Sequence, residues 1–161
     1  MRSLLLAVVA IVASGCGMMT DEERLDKYGP AIAASDEPWL SEALDKAVAF
    51  WQRQGVKFDN GLPEGVTVVS RAKLVNSDAA AEYDCRAKQI AILPEESDNS
   101  REAVCLLAHE MGHMVGMDHV ATGRIDDLMD TVVGPDPFGD CFWSLKDERE
   151  LKRAQKRGPR C

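Results

Sequence analysis

Residues 108–120 concentrate side chains that bind metals and move protons: His109-Glu110-Met111-Gly112-His113, then Gly116, Asp118 and His119. Residues four apart in a helix lie one turn above each other, so His109 and His113 present two imidazoles on one face and can share one metal ion. Gly116 can adopt a positive φ, which ends a helix and turns the chain, letting His119 return as a third nitrogen ligand. Three neutral imidazoles leave a tetrahedral zinc one open position for water. Zinc lowers the pKa of that water from about 15.7 to roughly 7. Glu110 adjoins His109 but points to the side of the metal face, where its carboxylate can take the proton, drive attack on a polarised carbonyl and return the proton to a leaving amine. That is peptide hydrolysis without a covalent intermediate. A bare His-Glu-x-x-His pentapeptide arises by chance and a lone helical histidine is more often structural. The extended form with Gly116 and His119 is specific, and all three histidines of the chain lie in it.

A helix that carries these groups must also be held in place. Val104, Leu107, Ala108, Met111 and Val115 form a stripe nearly opposite the histidines, suited to packing on a sheet. Asn99 with Glu102 three positions on is a capping-box start for it. Upstream, Trp39, Leu40, Ala43, Leu44, Ala47, Val48 and Trp51 recur at spacings of three and four, which predicts an N-terminal helix ended by Gly55. Residues 56–58 and 66–69 are β-branched runs on either side of the turn cluster 59–63, so both read as short strands. Residues 89–93 read as a third, stopped by Pro94. The last helix spans 144–157, opened by Ser144 and Asp147. It closes on Lys152, Arg153, Lys156 and Arg157, cations that complement its dipole; anionic lipid or polysaccharide binding is the other reading of that run.

On these residues the chain resembles the metzincin metallopeptidases, and 112–119 is most similar to their matrixin branch. The resemblance covers roughly residues 38–157. It implies an α+β fold in which a small mixed sheet packs on an N-terminal helix and a central zinc-binding helix, followed by a C-terminal helix. It also implies one catalytic Zn2+ held by His109, His113 and His119, with Glu110 as general base of an endopeptidase. Met129, in Leu128-Met129-Asp130, matches the family's Met-turn as a structural support beneath the metal. Residues 89–93 would be the edge strand on which an extended peptide or protein substrate lies antiparallel, and residues 131–143 a wall of the specificity pocket. Asp118, Asp126, Asp127 and Asp130 either accept hydrogen bonds from the ligand imidazoles or are solvated loop charges. No tyrosine follows the Met-turn; Asp130-Thr131-Val132-Val133 stand there. Two other functions fit the same residues: a non-catalytic zinc-containing surface module, which would need no Glu110, and a zinc amidase acting on cell-wall peptides.

The first fifteen of the 161 residues have the form of an export signal: Arg2, an apolar run over 4–12, then small residues. Ala13-Ser14-Gly15-Cys16 resembles the lipobox of bacterial lipoproteins, so Cys16 is the expected lipidation site and membrane anchor, at the cell envelope and by family resemblance the outer membrane. Plain export to the periplasm or medium is the alternative. Residues 16–36 lack apolar periodicity and read as a tether, leaving 37–161 as one catalytic domain, expected to be monomeric. Removing the signal takes only Arg2 from 19 basic residues and none of 27 acidic ones, so the mature chain carries about −9, which argues against a nucleic-acid partner. Cys85, Cys105, Cys141 and Cys161 are an even set in an exported chain, where disulfides persist. Of three connectivities, pairing Cys85 with Cys105 and Cys141 with Cys161 staples neighbouring segments. No Cys-x-x-Cys pair supports zinc ligation by thiolates.

Overall fold

The computed structural model describes residues 30–58, 62–63, 65–74, 79–94, 100–120, 128–130 and 141–158. Its elements run β1 (Ile32–Ala33), a 3-10 turn (Ala34–Asp36), α1 (Pro38–Arg53), β2 (Thr67–Ser70), β3 (Ala81–Asp84), β4 (Gln89–Ile92), α2 (Ser100–Met114) and α3 (Leu145–Arg157). Among the described residues three helices and a mixed four-stranded sheet make this an α+β fold. The strand order is β1-β2-β4-β3, with β2 and β4 parallel and the two outer pairs antiparallel. Among the described residues no helix is long and apolar enough to cross a membrane.

Helix α1 begins with Pro38 in its first turn, where the missing N–H costs nothing. Its buried stripe is Leu40, Ala43, Ala47, Phe50 and Trp51. Gly55, at φ 80°, closes it: the Gly55 N–H donates to Gln52 O and the Val56 N–H to Trp51 O, a Schellman motif. The same stripe meets Val68, Ile90 and Ile92 of the sheet and Leu107, Ala108 and Met111 of α2 in one core, with Val104 and Val115 packed at its margin as the helical spacing predicts. Leu151 and Ala154 of α3 join that core. Phe50, Trp51 and Trp143 meet edge to face with centroids 5.5–5.9 Å apart, which locks the start of α3 onto α1. On the other sheet face Val69, Leu74 and Ala91 form a small second cluster.

Four expectations need correction. Residues 56–58 are not a strand; they leave the α1 cap as irregular chain, with Phe58 buried in the core. Ile32 and Ala33, assigned to the tether for want of periodicity, pair with Ser70 and Val69, so the domain starts before Pro38. Gln89–Ile92 is not the sheet edge. It lies between β2 and β3, because Ala81–Asp84 supplies an unforeseen strand joined to it by the Cys85–Lys88 turn, in which Lys88 takes φ 51°. Finally, Cys105 pairs with Cys141, their Cα atoms 5.2 Å apart, which excludes both favoured disulfides; Cys85 is itself disulfide-bonded. The link joins α2, one turn before His109, to the segment entering α3. Proximity in the fold, not in sequence, decides the pairing.

Candidate metal centre

Helix α2 carries His109 and His113 on one face, and its end is built to bring His119 to them. The Gly116 N–H donates to His113 O at 2.9 Å and the Met117 N–H to Gly112 O at 2.9 Å, a Schellman motif with Gly116 at φ 91°. The chain therefore reverses where glycine permits it. The three Nε2 atoms converge: His109 to His113 is 3.1 Å, His113 to His119 3.1 Å and His109 to His119 3.2 Å. The histidines lie close enough to share a metal ion.

Tautomers decide what these short distances mean. His109 Nδ1 stands 2.5 Å from Leu128 O, and His113 Nδ1 stands 2.9 Å from Met117 O. A carbonyl oxygen only accepts, so both Nδ1 atoms carry the proton and both Nε2 atoms face inward with bare lone pairs. Burial pushes the His109 pKa down to about 4, opposed by the Leu128 carbonyl and reinforced by the neighbouring imidazoles. Burial, followed by the charge of His119, lowers His113 as well, against the pull of the Met117 carbonyl. Neither of these two Nε2 nitrogens therefore carries a proton toward the other. A cation is a partner that satisfies such converging lone pairs, and the three-imidazole donor set fits one.

Glu110 is buried beside the histidines, and the Tyr83 backbone N–H of β3 lies near enough to favour its carboxylate. Burial raises its pKa to about 8, outweighing the Tyr83 N–H, and the nearby charge of Glu82 adds to the rise. One carboxylate thus lies between the histidine-bearing helix and β3, the outermost strand among the described residues.

Met129 packs against Gly112, between the two helical histidines. A Cβ at Gly112 would overlap Met129 Sδ and come within 3.0 Å of Met129 Cε and 3.3 Å of Trp51 Cζ2. Only glycine between the two helical histidines admits this contact. Trp51 is fixed in turn, its Nε1–H donating 2.9 Å to Ala108 O. The turn at Leu128–Met129 is held from both sides: the Val120 N–H donates to Met129 O at 2.7 Å, the Leu128 N–H to Phe142 O at 3.1 Å, and the Met129 N–H to Asp147 Oδ1 at 3.3 Å. Fully buried Asp147 also accepts from the Ser144 N–H and hydroxyl, each at 2.9 Å, completing the capping box of α3.

Among the described residues His109 and His113 meet the backbone carbonyls of Leu128 and Met117, not Asp118 or Asp130. Asp118 is exposed and pairs with Arg157, and buried Asp130 acts on His109 through charge. Asp126, Asp127, Cys16, Asn99 and the loop 131–140 lie outside the described residues. Sequence reasoning missed the two carbonyls, Asp147 as a support of Met129, and Arg157 at the glycine turn. Only the Met117 carbonyl had a signal, since a Schellman ending at Gly116 folds that residue back over the last turn. No protein-family model matches the chain, and no curated protein sequence matches it significantly.

Proposed function

We propose that the chain is a zinc-dependent endopeptidase of the metzincin type, matrixin-like, with His109, His113 and His119 as metal ligands and Glu110 as general base. The observation that carries this is the Nε2 triangle, in which the lone pairs of His109 and His113 are locked inward. Two nitrogens on a tetrahedral zinc with bonds of about 2.0–2.1 Å stand roughly 3.3–3.4 Å apart, close to the 3.1–3.2 Å separations of the triad. Three neutral imidazoles are a catalytic type of zinc set, since they leave a coordination position open. Bound there, zinc supplies Lewis acidity, polarising a peptide carbonyl and lowering the pKa of a water to roughly 7.

Glu110 moves the protons. A cation among the adjacent histidines favours its carboxylate, so the resting group can accept a proton as water attacks the carbonyl carbon. Its buried setting, which raises its pKa to about 8, then favours holding that proton and passing it to the amide nitrogen as the C–N bond breaks. Strand β3, whose Tyr83 N–H meets Glu110, is the edge along which an extended peptide would lie, in place of residues 89–93. Export and a lipid anchor at Cys16 complete the reading, and detergent phase partitioning of Cys16→Ser tests the anchor: unchanged partitioning rules it out.

Incubating the purified protein with casein and a peptide library, with and without chelator and beside Glu110→Ala, tests the activity. The expected outcome is cleavage that chelator and the substitution both abolish. Chelator-insensitive cleavage, or equal cleavage by the variant, overturns the mechanism. Metal binding without any hydrolysis would leave a surface binding module, and cleavage confined to cell-wall peptides would leave an amidase.

A further inference from the structure

Two of the three ligands are oriented by a carbonyl on Nδ1, but His119 is not: among the described residues its Nδ1 has no hydrogen-bond partner, and the side chain is exposed. Among the described residues, the other restraints on it act through its backbone. On the far side Val120 is tied to Met129 O. On the near side the chain between Gly116 and Asp118 is gripped by the last turn of α3. Arg157 Nη2 donates to Gly116 O at 2.8 Å, pairs with Asp118 Oδ2 at 3.1 Å, and donates to Glu150 Oε1 at 2.7 Å. The same Glu150 oxygen accepts from the Asp118 N–H at 3.4 Å, and Glu150 is buried. Complementing the α3 dipole explains a cation at position 157 but not its reach into the turn that carries a ligand.

We infer that Arg157, braced by Glu150, is a positioning residue for the metal centre: it fixes the Gly116–Asp118 turn and so holds His119 on the ion. The inference rests on the metal-centre reading above.

Zinc affinity measured by chelator competition on the full chain, with the d–d spectrum of the Co(II)-loaded protein, tests it. Loss of groups that orient metal ligands weakens binding about tenfold to a hundredfold. Arg157→Met should do so and shift the Co(II) spectrum, whereas Lys156→Met, which removes the same charge from the exposed neighbouring position, should stay within about twofold of wild type. In a His119→Ala background Arg157→Met should have no further effect on affinity, which a merely structural role would not produce. If Arg157→Met does not fold, Asp118→Ala removes the exposed arm of the same grip and should weaken binding in the same direction. Affinity within about twofold of wild type in the variant, or an equal loss with and without His119, overturns the inference and leaves the metal centre standing. A wild-type chain that binds neither ion defeats both, and is seen before any variant is compared.

Discussion

Gly112→Ala is the sharpest probe of how the site is supported. In an open helical position alanine stabilises by about 1 kcal/mol over glycine. Here the added methyl would overlap Met129 Sδ and press on Met129 Cε and Trp51 Cζ2. Both neighbours are fully buried and Trp51 is tied to Ala108 O, so any shift of them must be made within the core. Overpacking a tight core costs typically about 1–3 kcal/mol. Collision with the sulfur, not just the end of the chain, puts this case in the upper part of that range. Subtracting the helix preference leaves an expected net loss of about 1–2 kcal/mol. Displacing Met129 also displaces Leu128, whose carbonyl orients His109, so zinc affinity should fall with stability. Urea unfolding of the metal-free protein, followed by tryptophan fluorescence, measures the first effect. A double-mutant cycle with Met129→Ala isolates the collision: once the sulfur is gone, alanine at 112 should be neutral or stabilising, an interaction of about 2 kcal/mol. Stabilisation by Gly112→Ala in the wild-type background, or the same cost with and without the Met129 side chain, would refute the packing account.

On the proposed mechanism, which makes Glu110 a proton carrier and not a ligand, Glu110→Gln should lower kcat about 10²- to 10⁴-fold while metal analysis finds zinc content unchanged. The metal-free protein should respond to pH through the same residue. Raised from 4.5 to about 8, Glu110 contributes stability that is complete below pH 4.5 and lost as pH climbs through 8; His109, lowered from 6.5 to about 4, loses its contribution only as pH falls across that lower window. Between pH 6.5 and 8 the glutamate dominates, so stability should drop by roughly 2 kcal/mol at about 1.36 kcal/mol per pH unit. Urea midpoints at the two pH values check this, and a slope unchanged in Glu110→Gln would exclude the assignment. Replacing Cys105 and Cys141 by serine opens a link across 36 residues, for which chain entropy predicts a loss of about 4 kcal/mol. Peptide mapping of the oxidised chain should recover that pair and no Cys85–Cys105 peptide.

The helix-borne part of the site was legible because its determinants are local. A four-residue spacing puts His109 above His113, and a glycine three positions on lets the chain turn, so the triad needs no distant contact to be anticipated. Strand β3 was not legible, since residues 79–84 are alanine-rich and acidic and lack a β-branched run; β4, not local propensity, makes it a strand. The run 56–58 has strand-like residues but no strand partner, and it serves core packing after the α1 cap. The groups that orient His109 and His113 were out of reach for another reason. They are backbone carbonyls, present at every residue, and only the folded path selects Leu128 and Met117.

What holds the triad together without metal is a matter of opposed forces. The inward lone pairs of His109 and His113, 3.1 Å apart, repel, so the backbone carrying them must be held by something other than the imidazoles' own contacts. Helix α3 supplies this at both ends. In its first turn Asp147 satisfies the helix cap and the Met129 N–H, stabilising the segment whose carbonyl aims His109. In its last turn Arg157 grips the glycine turn that leads to His119. Helix α1 adds the third restraint, Trp51 on the Ala108 carbonyl one residue before His109. Each restraint lies within two residues of a ligand or of the carbonyl that aims one. A cation held by the triad would replace that repulsion with favourable bonds on a frame already set, so metal binding should stabilise the fold by the full mass-action amount instead of first having to order it.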